Sequence, residues 1–260
     1  MIDIHSHILF GLDDGSDSLE TSSEMLRMAS ASGTTDIVAT PHANTEFSFD
    51  SARVTQKIAD LQAAAGSLPR IHYGCDFHLT PENIEDALCD PGKYSINHRG
   101  YLLVEFSDHF IPKATGDIFA RMLDTGLRPV VTHPERNALL QKRLPDLESW
   151  VGMGCYLQVT AQSLLGLFGR HAREFSNVLL SRQLVHFVAS DAHDSKHRTT
   201  ELKPAWDYVE TQYGSSTAGL LFIEHPQAAI EGSPIPPGRV NRQKKRWFSF
   251  LAKRAASSSR

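Results

Sequence analysis

The chain opens with a short apolar segment in which two histidines flank a serine and are followed by two aspartates and a glycine. The segment reads DIHSHILFGLDDG, residues 3–15. Because successive side chains of a β-strand point to opposite faces, a strand here places His5 and His7 on one face and Ser6 on the other. Neutral imidazole is the commonest protein metal ligand, and two buried imidazoles side by side are costly without a cation. The spacing indicates a metal site, although ordinary hydrogen bonds explain an isolated His-x-His pair equally well.

Acids and histidines of this kind recur along the chain, each after a short apolar run. Taken singly, each has an ordinary explanation, such as an aspartate in a turn or a glutamate paired with an arginine. Taken together, they predict one metal centre with nitrogen and oxygen ligands, suited to Mn²⁺, Fe²⁺ or Zn²⁺. The residues are His5, His7, Asp13, Asp14, His42, Asp76, Glu105, His133, Asp191 and His193.

The elements that must position these residues are seven predicted strands that alternate with helical patterns. Several runs are continuously apolar, as in parallel strands covered on both faces, and the spacing of apolar residues over 54–65 predicts a helix. Asp17 and Glu20 indicate a capping box at the first helix. Such a series predicts a parallel barrel or an open doubly wound sheet, and in a barrel the loops after the strands meet at one rim. The predicted strands are residues 2–5, 36–40, 70–75, 101–105, 128–132, 154–159 and 184–189.

Composition favours one large globular α/β domain. Of the 260 residues, 41% are hydrophobic and 22% are charged, and no apolar run approaches membrane-spanning length. Early aspartates interrupt any signal peptide, so we expect none. Cys75, Cys89 and Cys155 show no Cys-x-x-Cys spacing, which favours a reducing compartment, by default the cytoplasm. No glycine-rich nucleotide loop follows a predicted strand.

The charge is distributed unevenly along the chain. Residues 232–260 hold eight of the 26 Lys and Arg residues and none of the 30 acidic residues, so the first 231 residues carry a formal charge of −12. An acidic body is a poor nucleic-acid binder, whereas a basic tail suits an anionic partner. The Pro- and Gly-rich stretch GSPIPPG begins at Gly232. We therefore predict a catalytic domain over residues 1–231, and a linker with a basic aromatic tail over residues 232–260.

Five motifs of the chain resemble those of the polymerase-and-histidinol-phosphatase (PHP) superfamily. They are DIHSHILFGLDDG, TPH, LLVEF, THPER and SDAH, in the family's order and at compatible spacing. The likeness is strongest to the bacterial metal-dependent protein-tyrosine phosphatases of capsule and exopolysaccharide systems. It implies a distorted seven-stranded (β/α) TIM-like barrel, the PHP fold. It also implies up to three metal ions, usually Mn²⁺, with Fe²⁺ or Zn²⁺ as alternatives.

Matched position by position, the resemblance implies three groups of ligands. The bridging ligand after the third strand is usually glutamate in the family, whereas this chain has Asp76, which leaves metal preference and rate open. Glu82 is an alternative bridge, but TPENIEDAL predicts that it lies in the first turn of a helix, so Asp76 is favoured. The implied groups are His5, His7, Asp76 and Asp191; then Asp76, Glu105 and His133; then Asp14, His42 and His193.

The implied reaction is hydrolysis of a phosphomonoester, namely the phosphotyrosine of a protein such as a membrane-bound bacterial tyrosine kinase of an exopolysaccharide system. The resemblance makes Arg136 and Arg198 phosphate-binding catalytic residues, and guanidinium matches phosphate bidentately. A cysteine-dependent mechanism is excluded, because no cysteine has an arginine six residues later. Alternatives that stay open are a small-molecule phosphatase such as a histidinol-phosphatase, a non-catalytic metal-binding scaffold and, disfavoured by the acidic body, a nuclease.

The tail RVNRQKKRWFSFLAKR, residues 239–254, mixes basic and aromatic side chains, a combination that suits the surface of an anionic membrane. A disordered tail without a partner is the alternative. We predict that the full chain co-sediments with anionic vesicles and not with neutral ones. Binding should weaken with salt, because each basic residue contributes about 1 kcal/mol at most. Equal sedimentation of the full chain and of a chain ending at Glu231 on anionic vesicles would contradict the prediction.

Overall fold

Nine short strands, all paired in parallel, carry the fold in a computed structural model that describes residues 1–66 and 69–236. The basic aromatic tail at 239–254 lies outside the described residues. Each of the seven predicted strands overlaps an observed one, and two further short strands follow the second and third of them. The strands are β1 (Ile2–Ser6), β2 (Asp36–Ala39), β3 (His42–Ala43), β4 (Arg70–Tyr73), β5 (Asp76–His78), β6 (Tyr101–Glu105), β7 (Arg128–Thr132), β8 (Tyr156–Thr160) and β9 (Phe187–Ala189).

Helices cover the outer faces of the strands. Short 3₁₀ turns lie at Ile96–His98 and Leu140–Lys142, and a π-helical turn spans Leu220–Glu224. The helix predicted over 54–65 lies within α2. The helices are α1 (Leu19–Ala31), α2 (Ser51–Ala65), α3 (Pro81–Cys89), α4 (Thr115–Asp124), α5 (Leu144–Met153), α6 (Ala161–Leu164), α7 (Arg170–Ser181), α8 (Lys203–Tyr213), α9 (Ser215–Gly219) and α10 (His225–Glu231).

The start of α1 differs from the prediction. Ser18, not Asp17, is the N-cap, and its hydroxyl oxygen accepts a hydrogen bond from the backbone N–H of Thr21 at 3.2 Å. Asp17 instead accepts a hydrogen bond from the hydroxyl of Thr21 at 2.8 Å. The predicted capping box is therefore wrong by one residue, since serine at the next position caps equally well.

The strands form two sheets, in the orders β1-β2-β4 and β3-β5-β6-β7-β8-β9. The division arises because the chain is interrupted between β2 and β3 and again between β4 and β5. Pro41 separates β2 from β3 and has no N–H to donate to a ladder. Gly74 lies between β4 and β5, where a Cβ would stand 2.7 Å from the Val38 side chain. Glycine is thus required where the chain passes close to β2 and changes sheets.

The first and last strands of the series meet at the edge of the two sheets. Ser6 and Ala192 form a parallel bridge, and the backbone N–H of His7 donates to the carbonyl of Ala192 at 2.8 Å. The N–H of Asp191 donates to the carbonyl of His5 at the same distance. The segment after β9 therefore lies directly beside the histidines of β1.

Both faces of the strands are buried, as the continuous apolar runs predict. One apolar cluster takes side chains from one face of six strands and is covered by α10, whereas another joins the opposite faces to the helices. No helix within the described parts of the chain combines the length and apolarity needed to cross a membrane. The strand residues of the first cluster include Ile4, Val38, Leu103, Val130, Tyr156 and Phe187.

Packing continues past the compositional boundary at Glu231. Ile235 is buried in the same cluster as β1, and its carbonyl accepts a hydrogen bond from the Tyr156 hydroxyl at 3.2 Å. The Tyr101 hydroxyl donates to the carbonyl of Ser233 at 2.7 Å. The division at 231 stays a prediction, but a chain shortened to test the tail should end after Pro236 so that this packing is kept.

Candidate metal centre

The opening segment folds so that its two imidazoles converge. Nε2 of His5 and Nε2 of His7 lie 3.3 Å apart, and both rings are fully buried. The turn that follows returns Gly15 against His7, where a Cβ would stand 2.3 Å from the His7 carbonyl oxygen, so only glycine fits. In the same turn Asp13 Oδ2 lies 2.7 Å from Nδ1 of His7. This carboxylate orients the ring and leaves Nε2 for the centre.

Strand register places two further pairs side by side. His42 of β3 is opposite Asp76 of β5, and His78 of β5 is opposite Glu105 of β6. Nδ1 of His42 consequently lies 3.3 Å from Asp76 Oδ2 and 3.5 Å from Glu105 Oε2. Nε2 of His78 approaches the same Glu105 oxygen at 2.5 Å.

The ends of β7 and β9 complete the cluster with unusual backbone geometry. His133 and Asp191 have positive φ angles of 31° and 51°, which non-glycine residues rarely adopt. Such conformations cost about 1–3 kcal/mol each and cluster at functional sites. They turn both side chains inward, so that Nε2 of His133 lies 3.7 Å from Glu105 Oε1, and Asp191 Oδ1 lies 3.5 Å from Nε2 of His5. Nε2 of His193 lies 3.6 Å from Asp14 Oδ1.

Several of these polar atoms are buried without a hydrogen-bond partner. Among the described residues, neither carboxylate oxygen of Asp76 has one, and neither has Nδ1 of His42. A buried carboxylate without partners costs several kcal/mol, so its retention indicates a ligand that supplies positive charge. Ligand atoms bound to one cation at about 2.0–2.2 Å stand roughly 3 Å or more apart, close to the separations found here. The residues present therefore fit divalent metal ions.

All nine predicted ligands belong to this cluster, but their grouping differs from the implied one. Four sets have ligand atoms within 4.8 Å of one another, and Asp76 belongs to two of them. His133 groups with His5 and Asp191 instead of with Asp76 and Glu105. The sets are His7, Asp14, His42 and His193; His42, Asp76, His78 and Glu105; His5, His7 and Asp76; and His5, His133 and Asp191.

Two imidazoles of the cluster have raised pKa values because carboxylates surround them. Burial alone would lower the pKa of His5, but Asp76 and Asp191 raise it to about 9. Burial also opposes protonation of His42, whereas contacts with Asp14 and Asp76 raise its pKa to about 11. Since a metal binds only the neutral imidazole, a bound cation would displace these protons and take over their charge.

Other histidines of the cluster are already in the form that binds metal. Burial lowers the pKa of His133 to about 3 and that of His193 to about 4. Burial, together with the neighbouring His193, holds the pKa of His7 well below its usual value. These rings are neutral at physiological pH, so each presents a lone pair.

The two predicted arginines lie at the edge of the cluster. Nη2 of Arg198 donates to Asp191 Oδ2 at 2.6 Å, and Arg136 donates to the same oxygen. The Arg136 guanidinium also lies over the ring of Phe168, with its carbon 4.2 Å from the ring centroid. Their side chains remain 23% and 27% exposed, so donors of both stay accessible to an anion.

Sequence reasoning missed three residues of the centre. His78 is not among the predicted ligands, although it lies two residues after Asp76 and a strand places such residues on one face. The sequence pattern includes Asp13 among the acids of the centre but does not predict its contact with His7. Oε1 of Gln158 lies 3.0 Å from Nδ1 of His5. No sequence pattern predicts this contact, because Gln158 lies on a strand that is remote from His5 in the sequence.

Comparison with known proteins identifies the family. The capsular polysaccharide synthesis family CpsB/CapC matches residues 1–231. The chain belongs to the CpsB/CapC family. The tyrosine-protein phosphatase YwqE of Bacillus subtilis is 33% identical, and the match covers 94% of this chain and 98% of YwqE. The tyrosine-protein phosphatase CpsB of Streptococcus pneumoniae is 30% identical over 88% of this chain and 98% of its own.

A solved structure of the same CpsB/CapC group has the same fold. It comes from work on YwqE of Bacillus subtilis and CpsB of Streptococcus pneumoniae, described as unique metal-dependent tyrosine phosphatases. The TM-score is 0.86 at 32% identity, covering 92% of this chain and 98% of that one. The resemblance to metal-dependent tyrosine phosphatases of capsule systems is thereby confirmed.

We predict that Asp76→Ala lowers the metal content of the purified protein, because this residue belongs to two of the four sets. Asp76→Glu should keep the metal content, since it preserves the carboxylate. Metal per chain is measured by plasma mass spectrometry after dialysis against Mn²⁺. Asp124→Ala, which removes an exposed acid at the end of α4, is the control. A wild-type metal content in Asp76→Ala would show that Asp76 is not a ligand.

Proposed function

We propose that this chain is a metal-dependent protein-tyrosine phosphatase that hydrolyses phosphotyrosine in proteins. The observation that carries the proposal is a buried cluster of histidines and carboxylates in which both Asp76 oxygens lack a hydrogen-bond partner within residues 1–66 and 69–236. Two arginines flank the cluster, and both donate to its carboxylate Asp191. Metal ions and guanidinium groups side by side suit a phosphoryl group, which is doubly charged and has three equatorial oxygens. The activity named for the CpsB/CapC relatives supports the same function.

We propose that the centre binds Mn²⁺, in up to three sites, and that Asp76 would be a ligand in two of them. Fe²⁺ and Zn²⁺ suit the same nitrogen and oxygen donors. The ions, when bound, would polarise the phosphoryl group and activate the attacking water. The ligands would be His5, His7, Asp14, His42, Asp76, Glu105, His133, Asp191 and His193, and His78 is added because it shares a set with Asp76 and Glu105.

Arg136 and Arg198 would bind the phosphoryl oxygens and stabilise the charge that shifts onto them during transfer. Asp191 holds both guanidinium groups on the same side of the cluster, and Phe168 stacks on one of them. Two forked donors would then fix the orientation of the phosphoryl group before attack. A tyrosyl leaving group, with a phenol pKa near ~10, departs without strong acid assistance.

The cysteines support a reaction that does not use a thiol. Cys75 is fully buried, and burial raises the pKa of its thiol well above the usual value. Burial also raises the pKa of Cys155 to about 12. Neither forms a thiolate at neutral pH, and the exposed Cys89 lies at the end of α3, outside the metal cluster.

We further propose that the two sheets make one distorted seven-stranded barrel, in which β2 with β3 and β4 with β5 each count as one interrupted strand. The parallel bridge between Ser6 and Ala192 supports closure, since it joins the first strand to the segment after the last. Closure would bring all loops after the strands to a single rim.

For the cellular setting, we propose a cytoplasmic enzyme whose substrate is a membrane-bound tyrosine kinase of an exopolysaccharide system, and whose basic tail contacts the anionic membrane. The unpaired cysteines and the composition of residues 239–254 support this proposal.

Metal dependence is the test of the proposed reaction. A chelator should abolish hydrolysis of a phosphotyrosyl peptide, Mn²⁺ should restore it, and thiol alkylation should leave most of the activity, because the metals and not a cysteine activate the nucleophile. Phosphate release is followed with malachite green. Full activity after exhaustive chelation would contradict the mechanism, as would complete loss on alkylation at constant metal content.

Removal of either arginine tests the assigned phosphate contacts. Arg136→Ala and Arg198→Ala should each lower kcat/KM by about 10²–10³-fold, the usual cost of losing one donor to the transition state. Metal content should be unchanged, since arginine is not a ligand. Arg182→Ala, which removes an exposed arginine paired with Glu148, is the matched control. Wild-type kinetics in both rim variants would show that neither arginine binds phosphate.

A further inference from the structure

A large groove opens beside the candidate metal centre. Its volume is about 1040 Å³, and His78 and Glu105 lie in its wall, so the groove and the metal cluster share two residues. Phe110 is 63% exposed there, although a phenyl ring normally avoids water. Such a groove accommodates several residues of a peptide. Its apolar lining comprises Leu79, Ile84, Phe106, Phe110, Pro112 and Ile118.

The charged residues of the same groove are mostly acidic, with five carboxylates and one arginine. Glu46, Glu82 and Asp108 are exposed, and none makes an ion pair with a basic side chain among the described residues. Glu85 is paired with Arg121 at 3.4 Å, so the two offset each other. Three free carboxylates beside apolar surface attract cationic side chains with aliphatic stems.

A smaller cavity of about 80 Å³ adjoins the groove and is lined in part by Arg136. It shares Glu105, Phe106 and Asp108 with the groove, so the two cavities are continuous at these residues. Arg136 offers donors to a phosphoryl group in the smaller cavity, whereas the wider groove has room for the residues that flank the phosphotyrosine.

Building on the proposed phosphatase activity, we propose that the groove binds the peptide segment flanking the phosphotyrosine and selects segments that carry lysine or arginine. Glu46, Glu82 and Asp108 are the residues that determine this preference. Residues near the tyrosine place their apolar parts on Phe110 and Ile118, and their charges meet the free carboxylates. The preference arises from electrostatic attraction to solvent-exposed carboxylates, so added salt weakens it.

Three phosphotyrosyl peptides test this, identical except that two flanking positions carry lysine, glutamine or glutamate. With the Mn²⁺-loaded full chain at low salt, kcat/KM should be roughly three- to tenfold higher for the lysine peptide than for the glutamine peptide. It should be lowest for the glutamate peptide. Glu82→Gln and Asp108→Asn should each reduce the preference by about two- to threefold, and the triple variant with Glu46→Gln should abolish it. Glu210→Gln, an exposed acid of α8, should keep the full preference.

Binding is measured beside turnover, by fluorescence anisotropy of labelled peptides with a non-hydrolysable phosphotyrosine mimic. Equal kcat/KM for all three peptides, or a preference that survives in the triple variant, would overturn the inference and leave the phosphatase intact. Lysine-dependent binding without turnover of any peptide would overturn the phosphatase and leave the groove preference standing. A preference that falls with each lost carboxylate and with added salt would support both.

Discussion

The structure depends on placing several carboxylates and imidazoles together where water cannot reach them. Asp76 is fully buried, and neither of its oxygens has a hydrogen-bond partner in the part of the chain that the structure describes. Nearby carboxylates, including that of Asp76, raise the pKa values of His5 and His42. Burying negative charge in this way destabilises the folded protein unless positive charge lies close by. Bound metal ions would supply that charge, and the residues of the cluster are of the types that hold them.

The parallel arrangement of strands makes such a cluster attainable. His5, Glu105, His133 and Asp191 lie at or just after the carboxyl ends of their strands, whereas His42 and Asp76 begin the short strands β3 and β5, where strand register sets them side by side. The strain at His133 and Asp191 shows that the ends of β7 and β9 are adjusted to the centre and not to local backbone preference. Gly15 and Gly74 also help to position the centre, since each lets the chain approach a neighbouring segment more closely than any side chain would permit.

Much of the fold and of the metal centre can be predicted from residue types and spacing. The strands have short apolar runs, and histidines and acids follow them, so both the parallel α/β fold and the nine clustered residues can be inferred. Three features of the structure cannot be predicted in this way. The interruption at Gly74 depends on the close approach to Val38 of another strand. The grouping of His133 with His5 depends on backbone angles, and the support that Gln158 gives His5 depends on pairing across 153 residues. Asp17 was misplaced as a cap because neighbouring Ser18 competes for the same role.

The central claim is that Asp76 is shared between two bound cations. The most direct test is an anomalous difference map at the manganese absorption edge from crystals of the Mn²⁺-loaded protein. We predict peaks among the four sets of ligands, with the Asp76 carboxylate between two of them and Glu82 exposed in the groove. Peaks that leave Asp76 without a metal contact, or a single peak bound by other residues, would contradict the account.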